Sequence, residues 1–534
     1  MASARRSRHD SDVMTGELII GVDAGTSVIK AVAFDLEGRQ LDLAAVPNRY
    51  DERGSGAIEQ DMARTWQETA LVLRLLAEKI EPLAMRTVAL AVTGQGDGTW
   101  LIDRAGEPVA PAWLWLDSRA AAIVEELDRS GVRAEIYRYT GCGLNACQQA
   151  AHLVWLKRHA PTILARAATA CHCKDWLYFN LTGVRTTDSS EGTFTFGDFR
   201  TRRYVDAILD MLDIAELRRL LPPMLDGAEA THPLTADAAR ATGLRAGTPV
   251  SLGFLDVMCT GLGGGLYDPS RAVGCSIVGS TGMHMRWLKS ADQVVLGPEP
   301  TGYIMPFPVP GSVAQMQSNM AATLNIDWIV DCAREAAGVL GLEVERRAAL
   351  AAIDARVLDA RAGAALFHPY IHEAGERGPF VDVAARAMFT GLSTRTGFIE
   401  LVRSVYEGLA LAARDCYQAM GHVPDEVRVA GGAARSRAFK TILASVLDVP
   451  IREIAREESG AAGCAMMAAV AIGAERDMAA AVQTWVEPLL GDRIAPDPAL
   501  TGAYAALFPL YQQTRQAMPP IWRGLAASRA AARP

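Results

Sequence analysis

The chain has 534 residues and is too long for one compact unit, since domains usually hold roughly 100–200 residues. Half of the residues are hydrophobic and 21% are charged, which suffices for large cores and excludes global disorder. The 53 basic and 61 acidic residues give a net charge of −8, which argues against a nucleic-acid or anionic-membrane partner. We therefore expect a soluble protein with two large lobes.

The cysteines and the terminal segments bear on the cellular compartment. Nine cysteines are spread thinly along the chain, which is a poor disulfide framework and favours a reducing cytoplasm. The segment Cys171-His172-Cys173 lacks the usual spacing of a metal site. Residues 1–16 carry three arginines with no apolar stretch behind them, so we expect a flexible extension, with Met1 or Met14 as the start. We also expect a flexible tail over 521–534.

Apolar runs and turn residues in the first half predict a series of strands and helices. A β-branched run predicts the first strand, and a small turn separates it from a second strand, which makes a hairpin. A later, almost wholly apolar run suits a strand that is covered on both faces. The predicted strands cover 17–22, 28–35, 87–93 and 248–255, and the predicted helices cover 61–79, 119–130 and 150–159.

The second half repeats this pattern after a glycine-rich segment. Its predicted strands cover 272–279 and 426–430, and its predicted helices cover 397–420, 436–447 and 460–472. Because strands and helices alternate throughout, the fold class is α/β. The turn at 279–281 resembles the turn at 23–27, which indicates two related lobes facing each other. We expect an N-terminal lobe over 17–260 and a C-terminal lobe over 261–520.

The first candidate site lies at the predicted turn between the first two strands. Asp23 ends a buried strand and is followed by Gly25, Thr26 and Ser27. A carboxylate at this position can hold Mg²⁺ through water, while the amides and hydroxyls of the turn contact phosphate oxygens. The alternative is an Asx-type turn that only closes a hairpin, and both interpretations stay open.

A second candidate is the acid that ends the last predicted strand of the first lobe. Asp256 precedes a glycine run, 263–265, where the backbone can approach a ligand closely. A carboxylate in this place can accept a proton from a substrate hydroxyl, as phosphoryl transfer to an alcohol requires. The alternative is that Asp256 is a helix N-cap.

Two further polar segments are candidates for substrate contact. Gln95 and Asp97 follow the apolar strand over 87–93, and polar groups at such a strand end often face a cleft. Trp115, Asp117 and Arg119 place an aromatic ring, an acid and a base at alternate positions. This second pattern fits either a sugar-facing edge or a structural ion pair at a helix start.

Together these motifs resemble the FGGY carbohydrate kinase family, and the likeness extends from Leu18 to about Tyr511. The segments similar to the phosphate, substrate and catalytic motifs of the family are 23–27, 95–98, 101–103, 115–119, 253–256 and 279–281. The segments similar to its long C-terminal signature are 375–379, 387–392, 400–401 and 404–407. The residues similar to its adenosine-binding region are Gly431, Gly432, Arg435, Ser436, Glu458 and 461–463.

The resemblance implies two ribonuclease-H-like (actin-like ATPase) lobes with ATP and Mg²⁺ in the cleft between them. The N-terminal lobe would bind substrate through Gln95, Asp97, Trp115, Asp117 and Asp256, with Asp256 also the general base. Asp23 would help to position the metal ion, and the C-terminal lobe would bind the nucleotide. The implied ATP- and phosphate-binding residues are Gly25, Thr26, Ser27, Gly279, Ser280, Thr281, Gly431, Gly432 and Arg435.

The substrate segment departs from the better-known branches of the family. Gly96-Asp97 stands where the glycerol-kinase branch carries Arg-Glu and the xylulokinase-like branch commonly carries Met-His. Gly96 opens space, and Asp97 can accept two hydroxyl hydrogen bonds. The segments 94–100 and 253–258 look most similar to members that act on erythritol or L-xylulose-type compounds. We therefore expect a small polyol or sugar substrate, preferably erythritol, with a ketopentose such as xylulose or L-xylulose as the alternative.

A hypothesis from another class is a nucleotide-gated switch, because actin- and chaperone-like relatives of this fold use ATP to change shape. Loss of the substrate segment or of the acid at 256 would favour it, and the sequence retains both. The resemblance leaves a homodimer open as the assembly.

Overall fold

Two mixed β-sheets, each covered by helices, dominate the computed structural model, which describes residues 16–531. The predicted extension over 1–16 lies outside the described residues up to position 15, as do Met1 and Met14. Between residues 16 and 531, none of the helices combines the length and the apolar character needed to cross a bilayer. The α/β class is confirmed.

The first sheet is built around the predicted hairpin. Its strands are β1 (Leu18–Ala24), β2 (Val28–Asp35), β3 (Gln40–Pro47), β6 (Thr87–Gly94), β12 (His232–Pro233) and β13 (Pro249–Leu252), in the order β12-β13-β6-β1-β2-β3. β2 runs antiparallel to β1 and β3, whereas β6 runs parallel to β1 and β13. The carboxyl ends of β1, β6 and β13 therefore share one edge.

The second sheet repeats this arrangement. Its strands are β14 (Val273–Val278), β15 (Gly282–Leu288), β16 (Tyr303–Pro306), β17 (Val313–Asn319), β20 (Glu426–Ala430), β21 (Ile451–Ile454) and β22 (Leu490–Ile494), in the order β16-β17-β15-β14-β20-β21-β22. β15 is antiparallel to β14 and β17, and β20 is parallel to β14 and β21. Five consecutive strands have the same order and direction in both sheets, β3-β2-β1-β6-β13 in the first and β17-β15-β14-β20-β21 in the second, which explains the repeated turn in the sequence.

Short strands and helices complete the two lobes. The short strands are β4 (Asp51–Glu52), β5 (Ile58–Gln60), β7 (Trp100–Ile102), β8 (Ala112–Trp113), β9 (Thr169–Cys171), β10 (Gly197–Asp198), β11 (Arg203–Tyr204), β18 (Leu366–His368) and β19 (Met388–Thr390). The helices before the second sheet are α1 (Met62–Lys79), α2 (Leu83–Arg86), α3 (Ala121–Arg129), α4 (Val132–Thr140), α5 (Gln149–His159), α6 (Pro161–Arg166), α7 (Cys173–Thr182), α8 (Ser189–Phe196), α9 (Asp206–Met211), α10 (Ala236–Thr242) and α11 (Asp256–Gly263). The later helices are α12 (Thr323–Val339), α13 (Arg346–Arg356), α14 (Phe398–Ala419), α15 (Arg437–Leu447), α16 (Ser459–Ala471), α17 (Met478–Trp485), α18 (Pro498–Ala517) and α19 (Pro519–Ala531).

The segment predicted as a flexible tail, 521–534, is helical as far as residue 531, because α19 extends to Ala531; its flexibility stays a prediction. Trp522 anchors this helix: its side chain is buried, stacks on Phe380 with ring centroids 6.0 Å apart, and meets Tyr370 edge-on. A single large aromatic side chain in a polar, Ala-rich segment gives little periodic signal in the sequence, which is why the helix was missed.

Helix α11 and helix α16 meet almost without side chains between them. A Cβ on Gly463 would lie 2.0 Å from the carbonyl oxygen of Cys259, and one on Gly263 would lie 2.1 Å from that of Ser459. α16 also packs on β1, where a Cβ on Gly21 would lie 2.2 Å from the carbonyl oxygen of Ala461. Although α16 comes late in the chain, it thus covers the first sheet. The predicted lobe boundary at 260/261 falls inside α11, which lies in this contact.

We expect Gly463→Ala to destabilise the protein by about 1–3 kcal/mol or more, because the added methyl group overpacks a backbone-to-backbone contact. Gly502→Ala is the matched control, since Gly502 is exposed within α18 and has nothing within 4 Å of a Cβ. It should stabilise the protein by about 0.4–1 kcal/mol through lower unfolded-chain entropy. Melting temperatures of the two variants should therefore move in opposite directions, and a neutral Gly463→Ala would contradict the proposed close contact.

Candidate active site

Three polar segments converge at the shared edge of the first sheet. β1 ends at Ala24, β6 ends at Gly94, and Asp256 follows β13 after three residues. The N–H of Gln95 donates to the carbonyl of Ala24 at 2.9 Å, and the N–H of Gly253 donates to that of Val92 at 2.8 Å. Parallel strands thus bring residues far apart in the sequence to one cleft edge.

Asp23 lies within β1, opposite Lys30 in the hairpin. A Cβ on Gly460, at the start of α16, would lie 2.5 Å from Asp23 Oδ2. Burial raises the pKa of Asp23 to about 6, Lys30 lowers it, and Glu458 raises it. The carboxylate is therefore in the strand and at the cleft edge, and the turn itself is formed by the residues that follow.

Asp256 is the first residue of α11, and Leu255 occupies the N-cap position. The interpretation of Asp256 as an N-cap is therefore wrong. Burial raises the pKa of Asp256 to about 8, with the Asp23 and Glu191 carboxylates adding to the rise and the Val257 N–H opposing it. A half-buried carboxylate with a pKa close to neutrality suits a general base.

The turn formed by Gly25, Thr26 and Ser27 is tied to the substrate segments. Thr26 Oγ1 donates to Gln95 Oε1 at 3.1 Å and accepts from Trp115 Nε1 at 2.8 Å. Ser27 is exposed, so its hydroxyl is accessible to a ligand. The predicted phosphate turn and two predicted substrate residues therefore lie in direct contact.

Asp97 follows the edge of the sheet in a left-handed conformation with φ of 63°. Cys147 Sγ lies 3.7 Å from Asp97 Oδ2, while Oδ1 is buried with no hydrogen-bond partner among the described residues. Burial, and then the Glu191 carboxylate, hold the pKa of Asp97 well above its usual range. The space beside Gly96 is filled by Leu255, whose Cδ1 would lie 2.2 Å from a Cβ there, so Gly96 makes room for packing.

Asp117 is buried and its carboxylate is occupied by protein groups. It lies 2.7 Å from Arg119 Nη2 and accepts the Ile58 N–H at 2.9 Å. Arg119 in turn stacks on the buried Trp113, 3.4 Å from its ring centroid, and pairs with Glu59 at 2.9 Å. These contacts favour the structural ion pair, and direct substrate contact by Asp117 stays a prediction.

The predicted nucleotide residues cluster at the matching edge of the second sheet. The turn of Gly279, Ser280 and Thr281 joins β14 to β15, and its first two carbonyls accept the N–H groups of Thr323 and Ala322 at 2.9 and 2.7 Å, respectively. The hydroxyl side chains of this turn are exposed. The turn therefore meets the start of α12 and leaves its hydroxyl side chains open to a ligand.

Gly431 follows β20 beside this turn. Its φ of 91° and the Val278 carbonyl oxygen, 2.7 Å from a Cβ there, exclude larger residues. Gly432 and Arg435 lie in the short 3₁₀ helix Gly432–Arg435, and both are exposed. Gly431, Gly432 and Arg435 are thus exposed side by side, and adenosine binding by them stays a prediction.

A cavity of about 340 Å³ lies between the two lobes. Asp97, Trp115 and Cys147 line it from the first lobe, while Tyr303 and Arg377 line it from the second. Arg377 is oriented by Ser318, whose Oγ accepts from its Nε and Nη2 at 3.1 and 2.7 Å. The volume suits a small polyhydroxylated molecule.

Three functional candidates were missed by the sequence analysis. Lys30 pairs with Glu458 at 2.8 Å, bridging β2 and the start of α16. Arg377 faces the cavity, and Glu191 lies behind Asp97. Only Lys30 could have been found from the sequence, because the register of the predicted hairpin places it opposite Asp23. The positions of Arg377 and Glu191 depend on contacts between distant segments.

The chain matches the model of the FGGY family of carbohydrate kinases, N-terminal domain, over residues 18–263. It matches the C-terminal domain of the same family over residues 274–472. The protein therefore belongs to the FGGY family of carbohydrate kinases, as the motifs predicted, and the two-lobed actin-like fold is confirmed.

Individual relatives support this assignment. The chain is 52% identical to erythritol kinase of Brucella abortus (strain 2308) over 514 residues, which cover 96% of this chain and 99% of the relative. It is 27% identical to L-xylulose/3-keto-L-gulonate kinase of Escherichia coli (strain K12), covering 87% of this chain and 92% of that one. The crystal structure of xylulose kinase from Rhodospirillum rubrum is similar with a TM-score of 0.85 and 27% identity, covering 95% of this chain and all of that chain (100%).

We expect Asp117→Asn to lower the melting temperature while leaving the Michaelis constant for the substrate within about twofold, since removing one charge of a buried pair leaves Arg119 with Glu59 as its remaining acidic partner. Glu135→Ala is the control, because its ion pair with Arg138 is exposed and such pairs contribute about 0–1 kcal/mol. A large rise in the Michaelis constant with unchanged stability would instead support direct substrate contact.

Proposed function

We propose that the protein transfers the γ-phosphoryl group of ATP to a hydroxyl of erythritol or a closely similar polyol. The 52% identity to a relative named erythritol kinase, over nearly the full length of both chains, carries this proposal. The geometry supports it, because Asp256, a carboxylate with a raised pKa, follows one of the parallel strands that end at the cleft edge, and Asp97, at the same edge, lines a cavity of about 340 Å³. A ketopentose is the second candidate, favoured by the L-xylulose and xylulose kinase relatives.

The proposed reaction uses Asp256 as the general base. The substrate hydroxyl gives its proton to the Asp256 carboxylate while its oxygen forms a bond to the γ-phosphorus. The bond between that phosphorus and the β,γ-bridging oxygen breaks, and ADP leaves. Gln95, Asp97 and Trp115 would orient the polyol.

The nucleotide would lie across both lobes. Gly25, Thr26 and Ser27, together with Gly279, Ser280 and Thr281, would hold phosphate oxygens through amides and hydroxyls. Gly431, Gly432 and Arg435 would contact the adenosine. Lys30, which now pairs with Glu458, is a cation next to the first turn and would add a charge-assisted hydrogen bond to a phosphate.

Mg²⁺ would reach the site with ATP. Among residues 16–531, no three His, Cys, Asp or Glu side chains are arranged to hold a metal ion. The Asp23 and Asp256 carboxylates nevertheless favour a nearby cation, because two neighbouring carboxylates at one edge repel each other. The residues therefore fit an ion that is mainly coordinated by phosphates and water and is positioned by Asp23; it would neutralise charge on the transferring group.

Several broader expectations belong to the same proposal. The N-terminal lobe over 17–260 would bind the polyol, and the C-terminal lobe over 261–520 would bind the nucleotide. The nine cysteines, all free thiols, support a cytoplasmic location. A homodimer is also proposed, and size-exclusion chromatography with light scattering tests it.

A substrate screen tests the main proposal. With Mg-ATP, erythritol should stimulate ADP release more than pentitols, D-xylulose or L-xylulose do, as judged by kcat/KM from a coupled assay. A preference for a ketopentose of about tenfold or more would support the second candidate, since tenfold corresponds to about 1.4 kcal/mol of discrimination. No stimulation by any polyol or sugar would overturn the kinase proposal for these compounds.

Asp256→Asn should reduce kcat by at least about 10³-fold, because a positioned base is lost. Its melting temperature should equal or exceed that of the wild type, since a buried carboxylate repelled by Asp23 has been neutralised. In the wild type, kcat/KM for the polyol should rise with pH, reach half of its maximum near pH 8 and level off above that pH, because the base must be ionised to accept a proton and its pKa is raised to about 8. Near-normal kcat in the variant would remove Asp256 from this role.

A further inference from the structure

A buried glutamate lies directly behind the substrate-facing turn. Glu191, near the start of α8, is completely buried. Its Oε2 accepts the main-chain N–H of Asp97 at 3.4 Å, whereas its Oε1 is buried with no hydrogen-bond partner among the described residues. Leaving a carboxylate oxygen unpartnered in the interior is costly, so a role beyond packing is indicated.

The neighbours of Glu191 form a network of charges from several elements. His172 Nε2 lies 3.6 Å from Glu191 Oε2, and His172 Nδ1 lies 3.2 Å from Asp175 Oδ2. Lys174 pairs with Asp175 at 2.6 Å and with Asp188 at 2.5 Å. The other titratable groups that interact with Asp97 or Asp256 include Asp23 on β1, Cys142, Cys147, Cys173 and Tyr303. His172 and Lys174 thus lie among three acids, Glu191, Asp175 and Asp188, behind the site.

Helix α8 is attached to both turns that carry the proposed reacting and binding acids. Glu191 holds the N–H of Asp97. The adjacent Ser190 accepts the N–H of Leu255 on its Oγ at 3.0 Å, immediately before Asp256. Two consecutive residues of one helix therefore fix the relative position of Asp97 and Asp256.

The electrostatic coupling follows the same geometry. Burial raises the pKa of Glu191 to about 7, against the lowering effect of His172 and Lys174. Burial disfavours the charged form of His172, but Glu191 and Asp175 outweigh it and raise the His172 pKa. After burial, Glu191 is the main cause of the raised pKa of Asp97, and it adds to that of Asp256.

We propose that Glu191 is a positioning residue of the substrate site, which holds the Asp97 turn through its main-chain N–H and places a negative charge behind both Asp97 and Asp256. This inference rests on the proposed polyol kinase function. Glu191 reaches the substrate only through these two acids. If Glu191 had only a structural role, removing its charge and shortening its side chain would have the same effect on the enzyme.

Two conservative variants of Glu191 separate the effect of its charge from the effect of its hydrogen bond to the Asp97 N–H. Glu191→Gln keeps an oxygen for the Asp97 N–H but removes the charge, so both acids in front of it ionise more readily. The low-pH limb of kcat/KM for erythritol should therefore move to lower pH, with KM nearly unchanged. Glu191→Asp keeps the charge but moves the carboxylate oxygen away from the Asp97 N–H. KM for erythritol should therefore rise about three- to tenfold, the equivalent of one lost hydrogen bond, while the low-pH limb of kcat/KM stays where it is in the wild type.

Nucleotide affinity and a distant glutamate are the controls. KM for ATP should change little in either variant, because the proposed adenosine surface is in the second lobe. Glu68→Gln is the matched control, since Glu68 Oε2 is also buried without a partner but lies on α1, and it should leave the limb and both KM values unchanged. The proposal would be overturned if both Glu191 variants kept the wild-type KM for erythritol and the wild-type position of the low-pH limb. It would also be overturned if KM for ATP rose in parallel with KM for erythritol.

Failure of the proposed function has a different signature, namely a wild-type enzyme that no polyol stimulates. If neither Glu191 variant folds, as judged by circular dichroism, Gly96→Ala is the second test. Its methyl group would lie 2.9 Å from Glu191 Oε1 and 2.2 Å from Leu255 Cδ1, displacing the turn without altering any charge. It should raise KM for erythritol with KM for ATP unchanged, and an unchanged KM for erythritol would overturn the inference.

Discussion

The close contact between α11 and α16 determines where the proposed chemistry can occur. Glycines at 263 and 463 let one helix meet the backbone of the other, and dispersion contacts at such short range tolerate little displacement. The start of α11 carries Asp256, and the start of α16 lies against Asp23 through Gly460. The two carboxylates are thus placed by a packing constraint and need no attraction of their own.

That constraint explains how the molecule can hold several acids close together. Burial, with added repulsion from neighbouring carboxylates, raises the pKa values of Asp23, Asp256 and Glu191 to about 6, 8 and 7. If the surrounding packing loosened and admitted water, the charged forms of these three acids would become more favourable. The apolar cluster between the sheets resists this, because Ile19 and Val32 of the first sheet and Met285 of the second pack with the buried face of α16. Stability elsewhere therefore offsets the electrostatic strain of the proposed site.

Much of the fold could be predicted from local patterns. Several long helices and buried strands were predicted within a few residues, for example 397–420 against Phe398–Ala419, because strong apolar periodicity survives in a single sequence. The long helices Thr323–Val339 and Pro498–Ala517 were not predicted. Single-residue motifs at strand ends, Asp23, Asp97 and Asp256, were also recognisable because parallel strands share an edge. By contrast, Arg377 and Glu191 reach the site from segments that no spacing rule connects to it. Whether Asp117 contacts substrate could not be read either, since its partner Ile58 lies 59 residues away.

The net charge of −8 has a specific consequence at this site. The acids at the edge of the first sheet would repel a nucleotide triphosphate, and the nearby Lys30 is already paired with Glu458. Favourable binding then requires the amides of two glycine turns, a cation that arrives with the phosphates, and release of Lys30 from Glu458 toward the new charge. Because Glu458 is the N-cap of α16 and Lys30 lies in β2, exchange of this ion pair for a phosphate would change a contact between segments from opposite ends of the chain. The repulsion that disfavours binding of free nucleotide would thus couple nucleotide binding to the relative position of the two lobes. Exclusion of water from the cleft between them would favour phosphoryl transfer to the polyol over hydrolysis.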